Sequence, residues 1–220
     1  MKSVYLRRLY QKYISARLPG FSIKGHLIYA DHFDLILRGY CFEDSAFEAN
    51  AFNIYVFVQP LYSPFNYLWF NFGQRLNQFA KGGVDHWWTI SPENEQQIMG
   101  VVTDLMCGPA LKFLNRVTNP GDLVTEFQRR IKETPNDFNV IEAIAYSRIL
   151  SGDYRNAYNS LEELKLGLEK AMKDFPYATD LQVNLDRVLM IQNFLIRKEN
   201  GLAEDQLRLW ANSTKEALKL

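Results

Sequence analysis

Two cysteines and three histidines are the side chains of this chain best suited to nucleophilic, acid–base or metal chemistry. A thiol enzyme needs a cysteine close to a histidine that accepts its proton. Cys41 stands between Tyr40 and Phe42 in an apolar strand, where burial would raise its pKa and leave it inert. Cys107 lies in an apolar helical stretch, and the histidines are scattered, at His26, His32 and His86. A Cys/His-dependent hydrolase is therefore an alternative and not the main interpretation.

Metal and nucleotide sites lack their usual spacing. The chain contains no H-x-x-x-H, H-E-x-x-H or C-x-x-C. His26 and His32 could share a metal with a carboxylate from Asp31 or Asp34, but polar residues are the ordinary content of a hairpin end. The segment 81–84, Lys-Gly-Gly-Val, has neither the spacing nor the Lys-Ser/Thr of a P-loop. We predict no catalytic residue, no metal and no cofactor.

Composition favours an ordinary globular protein. The 220 residues are 47% hydrophobic and 23% charged, with a net charge of zero. Bulk charge therefore gives no reason to expect nucleic acid. The N-terminus does not resemble a secretory signal, and no run of about 18 apolar residues suggests a membrane span. With only two cysteines, we expect a cytoplasmic protein with reduced thiols, whose oligomeric state stays open.

The N-terminus is nevertheless locally basic. Six cations and no acid occur in the first 24 residues: Lys2, Arg7, Arg8, Lys12, Arg17 and Lys24. Residues 3–17 show helical spacing, with Arg8 and Lys12 on one face, which is either solvated or meets an anionic partner. Together with an aromatic sheet, this helix makes nucleic-acid binding an alternative. Against it, the sheet carries few cations beyond Arg38 and Arg75.

The sequence pattern of the first half of the chain predicts a small sheet. Four runs rich in aromatic and β-branched residues predict strands at 26–30, 33–43, 49–59 and 67–72. Their short connections predict a four-stranded antiparallel meander covered by the N-terminal helix. Residues 74–89 are predicted to be loop.

The sequence pattern of the second half predicts helices. Ser91-Pro92-Glu93 is typical of a helix start, and Gly108-Pro109 should kink or split that helix, which runs toward 117. Further helices are predicted at 119–132, 137–150, 154–173, 178–199 and 203–218. We therefore predict an α+β protein with a sheet module at 1–90 and an α-helical module at 91–220, packed together.

Part of the helical half resembles a tetratricopeptide unit. The matching positions within 141–164 are Ile141, Ile144, Ala145, Gly152-Asp153-Tyr154, Ala157 and Leu161. One unit earlier, Phe127 and Pro135 fall in the same frame, so the resemblance covers about 123–164. Arg148 stands where that family usually has an aromatic residue, and a third unit is missing. A true repeat array and a bundle with one repeat-like hairpin both stay open.

The resemblance implies where a ligand would bind. In the tetratricopeptide family, ligands lie along the first helices, and the corresponding residues here are Asn139, Glu142, Tyr146 and Ile149. The alternative is that Tyr146 and Ile149 belong to the core.

A second resemblance covers about 1–73. The segments 18–29, Leu-Pro-Gly-Phe through Lys-Gly-His-Leu-Ile-Tyr, and 70–73, Phe-Asn-Phe-Gly, resemble a bacterial α+β domain family of unknown function. Small proteins of this kind often act as accessory or toxin-immunity proteins. The resemblance implies a binding role.

The main interpretation is a non-catalytic protein that binds another protein, as an immunity protein or an adaptor. An aromatic-rich surface would bury against the partner. The candidate residues lie in loops: Tyr62, Phe65, Trp87 and Trp88. Adjacent tryptophans in extended chain face opposite ways, so at least one should be exposed or lie at a domain seam. Each of these side chains also has a core interpretation.

Overall fold

The computed structural model describes residues 3–48, 50–83, 87–133 and 137–220. Within these ranges the chain forms two compact units. The described residues within 3–59 and 69–118 form unit 1, and those within 60–68 and 119–220 form unit 2. The protein is α+β, with an antiparallel sheet in unit 1 and most of the helices in the C-terminal half. No helix in the described ranges is both long and apolar enough to cross a membrane.

The N-terminal segment is helical from Ser3 to Arg17, as predicted. It consists of α1 (Ser3–Leu9), a π-helical turn (Tyr10–Ile14) and a 3-10 turn (Ser15–Arg17). Its apolar side chains are buried where they recur at helical spacing, namely Leu6, Leu9 and Ile14.

The sheet of unit 1 has six strands in the described residues. They are β1 (Phe21–Lys24), β2 (Leu27–Ala30), β3 (Ile36–Asp44), β4 (Ala51–Pro60), β5 (Gly73–Arg75) and β6 (Trp88–Thr89). Neighbours follow the order β1-β2-β3-β4-β5, and β6 pairs with β4. The β1–β2, β2–β3, β4–β5 and β4–β6 pairs are antiparallel. Nearly all of β4 is buried, which makes it the centre of this core.

The predicted four-stranded sheet was wrong in strand number. Lys24 pairs with Leu27 across a two-residue turn in which Gly25 has φ 59°, so β1 and β2 form a tight hairpin that the prediction missed. The predicted strand at 67–72 is irregular chain. There the backbone N–H of Trp69 donates to the side chain of Gln59 at 3.1 Å, so a side chain satisfies a donor that a strand would have paired.

The predicted loop at 74–89 also contains regular structure. It includes most of β5, a 3-10 turn (Leu76–Phe79) and β6, whose Trp88 pairs with Phe52 of β4. These elements are two to four residues long. Such short segments show too little periodicity to be detected in the sequence.

The sheet is followed by an interrupted helix. It consists of α2 (Glu95–Leu105), a π-helical turn (Met106–Ala110) and α3 (Leu111–Asn115). Pro109 lies inside the π-helical turn, so the interruption predicted at Gly108-Pro109 is confirmed. The helix starts at Glu95 instead of Ser91, because Ser91 and Asn94 form a turn in which the Ser91 N–H donates to Asn94 Oδ1 at 2.7 Å.

Unit 2 is helical. It contains α4 (Pro120–Phe127), α5 (Arg130–Glu133), α6 (Phe138–Leu150), α7 (Tyr154–Asp174), α8 (Thr179–Ile196) and α9 (Asn200–Ala217). The predicted helices at 137–150, 154–173, 178–199 and 203–218 are confirmed within a few residues. Asn119 caps α4 in a reciprocal capping box with Asp122.

The grouping into units differs from the predicted boundary between 90 and 91. The helical segments 95–115 belong to the compact unit that contains the sheet, and residues 60–68 belong to the helical unit. Tyr62 illustrates the second point, because it is fully buried and its hydroxyl contacts Ser147 of α6.

Candidate functional site

The two thiols lie in environments that keep them protonated. Burial, with a smaller contribution from Glu43, raises the pKa of Cys41 to about 11. Burial also raises the pKa of Cys107, against the opposing charge of Arg17. A protonated thiol is a poor nucleophile, so neither cysteine offers the activated sulfur that a thiol enzyme needs.

His26 and His32 are the histidines that the structure describes. His26 Nδ1 lies 3.3 Å from the carbonyl oxygen of Phe42. Asp31, His32 and Asp34 line an open cavity of about 470 Å³ at a hairpin end, together with Arg38. Among the described residues, no group of three or more His, Cys, Asp or Glu side chains is placed to hold a metal ion. His86 lies outside the described residues.

The basic face of the N-terminal helical segment binds a carboxylate of the chain itself. Lys12 Nζ donates to Glu95 Oε1 at 2.9 Å, and Arg8 donates to Oε2. The hydroxyls of Tyr5 and Tyr13 donate to the same carboxylate, each at 3.0 Å. All five residues belong to unit 1, so this cluster fixes the segment to α2.

These hydrogen bonds change the acidity of Glu95. Donation from Lys12, followed by that from Tyr13 and Tyr5, outweighs the cost of burial and lowers the pKa of Glu95 to about 2. Arg17 pairs with Asp104 of α2 at 2.7 Å. Three of the N-terminal cations therefore have internal partners, which removes much of the positive surface that nucleic-acid binding would use.

The four aromatic residues predicted to form a binding surface do not share one. Tyr62, Phe65 and Trp88 are buried, and Trp88 packs on Phe52 with ring centroids 5.8 Å apart. Of the two alternatives predicted for the tryptophan pair, exposure or a position at a domain seam, exposure applies to Trp87, which is 37% exposed. The Arg75 guanidinium lies 5.2 Å from the centre of the Trp87 ring. Of the predicted surface, only Trp87 is accessible.

The predicted ligand-binding face of α6 is also occupied from within. Arg187 of α8 binds both oxygens of Glu142 at 2.9 Å, and the Tyr146 hydroxyl donates to Glu142 Oε1 at 2.9 Å. Asn184 donates to Asn139 at 3.2 Å. We call this set of five residues the α6–α8 cluster.

Burial in the α6–α8 cluster is nearly complete at its centre. Glu142 is 1% exposed, and Tyr146 and Ile149 are fully buried. Burial, reinforced by the charge of Glu142, raises the pKa of Tyr146 well above its usual value. The Tyr146 ring also lies 5.6 Å from the ring of Trp210 on α9. In this structure, Glu142 and Tyr146 are interior groups.

Another part of the α6–α7 hairpin is open to solvent. Seven apolar residues line a cavity of about 820 Å³ there: Ile131, Phe138, Ile141, Ala171, Phe175, Ala178 and Leu181. This volume lies within the range of about 300–1,000 Å³ that is usual for ligand sites. A mostly apolar lining that is open to solvent is typical of sites that bury part of a partner.

Local sequence explains how the cavity forms. A Cβ on Gly167 would lie 2.9 Å from Cε1 of Phe138, so the absence of a side chain on α7 lets the Phe138 ring approach the helix. Helix α7 ends at Asp174, and the short connector to α8 contains Phe175-Pro176-Tyr177. In this connector Phe175 is 65% exposed and Tyr177 is 94% exposed. Phe175, which also lines the cavity, therefore stands at its rim.

A second, polar cavity of about 610 Å³ adjoins the first. The two share Ile131 and Glu163 as lining residues. The second is lined by Arg129, Lys132 and Arg148, and by a row of α7 side chains at helical spacing, namely Asn156, Asn159, Ser160 and Glu163. We call the two cavities together the α7 groove, with an apolar end and a polar end.

Arg148 is the most firmly held of the cations in the α7 groove. It is half-buried, and its Nη1 donates to Ser160 Oγ and to the carbonyl oxygen of Asn156 at 3.3 Å. The sequence shows Arg148 only as a departure from the tetratricopeptide pattern. Two signals for this groove were available in the sequence: the arginine at a position that is usually aromatic, and Phe175 beside Pro176.

Comparison of the chain with protein-family models, curated proteins and solved structures gave no match. The functional argument therefore depends on the geometry of the α7 groove.

Proposed function

We propose that this chain is a non-catalytic protein-binding protein that takes up a segment of a partner protein in the α7 groove. The observation that carries this proposal is the open apolar cavity of about 820 Å³, rimmed by the exposed Phe175. An adaptor or an immunity protein would use such a groove to hold its partner without changing it chemically.

The length of the α7 groove supports a chain segment as its occupant. Its lining residues on α7 run from Asn156 to Asp174. At about 1.5 Å per residue, this part of α7 spans about 27 Å. That length suits a helical or extended peptide that presents one or two apolar anchors to the groove.

The α6–α7 hairpin supports the proposal of a tetratricopeptide-like unit. Helices α6 and α7 pack against each other, Ala145 and Ala157 are fully buried, and Gly152 has φ 79° in the turn. Small buried residues permit close helix packing. In contrast to the ligand position that the resemblance implied, we place the partner in the α7 groove.

A peptide library tests the proposal. The full chain is exposed to phage displaying random peptides of about 16 residues, which as helices would span about 24 Å. Wild type is compared with Phe175→Ser and with Leu209→Ser, a control at a similarly exposed apolar residue on α9 outside the groove. We expect peptides with an apolar anchor to be enriched by wild type and by Leu209→Ser, and binding to fall at least tenfold with Phe175→Ser.

Two outcomes would contradict the proposal. Equal enrichment by wild type and Phe175→Ser would show that peptides bind elsewhere. Self-association in sedimentation that Phe175→Ser abolishes, without peptide enrichment, would show that a second copy of the chain occupies the groove.

A further inference from the structure

Opposite charges lie at the two ends of the α7 groove. Among the lining residues that the structure describes, the polar end carries Arg129, Lys132 and Arg148 and one carboxylate, that of Glu163. The apolar end carries three carboxylates against one ammonium group, with Asp174 and Asp180 beyond the shared Glu163. The groove therefore changes from a positive excess to a negative excess along α7.

The positive charges are arranged to meet an anionic group. Arg129 and Lys132 are exposed, on the segment around α5. Arg148 is held against α7 through Nη1 alone. Because a guanidinium has five N–H donors on three nitrogens, the donors on Nε and Nη2 are not used in this contact. An arginine fixed in this way and flanked by two cations suits a carboxylate, which it can bind with two parallel hydrogen bonds.

The negative end has the complementary preference. Asp174 is the last residue of α7, and Asp180 lies in the first turn of α8. Both are exposed and line the cavity together with Phe175. A lysine or arginine that follows an apolar anchor could lay its aliphatic stem along this apolar wall and place its charge beside the two carboxylates.

We infer that the α7 groove, acting in the proposed function, selects a partner segment in which an acidic residue and a basic residue flank an apolar anchor. The acidic side chain lies at the Arg148 end, the anchor lies between Phe138 and Phe175, and the basic side chain lies at the Asp174 end. The charge order determines which way the segment runs, because a reversed segment would place like charges together at both ends.

The same peptide library tests this inference with charge-reversal variants. Wild type is compared with Lys132→Glu and with Asp174→Lys. The control is Lys81→Glu, which makes the same charge change as Lys132→Glu at an exposed position of unit 1. Arg148 is left intact because it also joins α6 to α7. Peptides enriched by wild type should carry an acid and a base on opposite sides of the apolar anchor.

The variants should alter that selection in a specific way. Lys132→Glu should weaken binding of the peptides enriched by wild type about tenfold, because it turns an attraction at the rim into a repulsion. It should also remove the preference for an acidic residue in the peptide, but the preference for an apolar anchor should remain. Asp174→Lys should remove the preference for the base, and Lys81→Glu should change neither. The affinity of wild type should also fall as salt is raised from low to physiological concentration.

Failure of the inference can be told apart from failure of the proposed function. Enriched peptides that share an apolar anchor without ordered charges would overturn the inference and leave the groove as a binding site. The absence of any enrichment that depends on Phe175 would remove the proposed function, and the inference with it.

Discussion

Helix α6 contributes to two parts of unit 2 that differ in how their polar groups are satisfied. In the first part, which we call the closed side, Glu142 and Tyr146 are buried and Arg187 of α8 binds Glu142. In the second part, which we call the open side, Phe138 and Ile141 line an open groove whose charged residues lie at its rim. The comparison teaches that polar residues at helical spacing do not by themselves mark a binding face. A binding face also needs space and accessible charge.

The largest expected effect comes from breaking the closed side. Glu142→Ala leaves the Arg187 guanidinium largely buried without its carboxylate, which should lower the free energy of unfolding by about 3–5 kcal/mol. Urea denaturation measures this change. The double variant Glu142→Leu/Arg187→Met should recover most of the loss, because no unpaired charge remains. A loss below about 1 kcal/mol for Glu142→Ala would show that this side is not closed.

The Glu95 cluster of unit 1 is a second closed site, and it should respond to pH. Glu95→Gln removes a carboxylate that accepts four hydrogen bonds, so we expect a loss of about 2 kcal/mol at pH 7. The folded pKa of about 2 lies below the ordinary value of 4.5, so the contribution of Glu95 is complete above pH 4.5 and disappears as pH falls toward 2. Chemical denaturation of both proteins across this range should show their stabilities converging. A difference that does not vary with pH would contradict this account of Glu95.

A smaller effect is expected at Tyr62. Ser147 Oγ donates to the carbonyl oxygen of Ala143 at 2.7 Å, so it can accept a hydrogen bond from the Tyr62 hydroxyl. Tyr62→Phe leaves this buried acceptor without its donor and should cost about 1 kcal/mol. Tyr67→Phe, at a side chain that is 53% exposed, is the matched control and should be nearly neutral. Equal effects of the two changes in thermal unfolding would mean that Tyr62 is not an anchor of unit 2.

The open side should give the smallest change in stability. Phe175→Ser removes an exposed ring and should alter the free energy of unfolding by less than about 0.5 kcal/mol. Its effect on peptide binding should nevertheless be at least tenfold. A large loss of stability in the same denaturation experiment would instead assign Phe175 to the core and would weaken the contrast between the two sides.

Long elements of this fold could be predicted from the sequence, whereas short ones could not. Helices α7 and α8 have enough periodic residues and clear end signals, including Gly152 and Pro176. Strand β1, in contrast, is four residues long, and β6 forms only because Trp88 pairs with a distant residue, Phe52. Pairing across the chain is a tertiary property that local patterns do not contain.

The candidate site was less predictable than the fold, for a related reason. Tyr62 lies in a loop, where large aromatic residues are often exposed, and yet it packs into the helical unit. Glu142 looks like a surface residue until Arg187, 45 positions later, is placed beside it. The α7 groove depends on the close approach of the Phe138 ring to Gly167. No sequence motif predicts this contact.

The most direct test of the central claim is an NMR titration of the labelled full chain with the most strongly enriched peptide. We predict shifts in the methyl groups of Ile131, Ile141, Ala171 and Leu181, which line the α7 groove. The indole N–H of Trp210, which packs on Tyr146 at the closed side, should not shift. Shifts at Trp210 without shifts at the four methyl-bearing residues would contradict the account and would place the partner at the closed side.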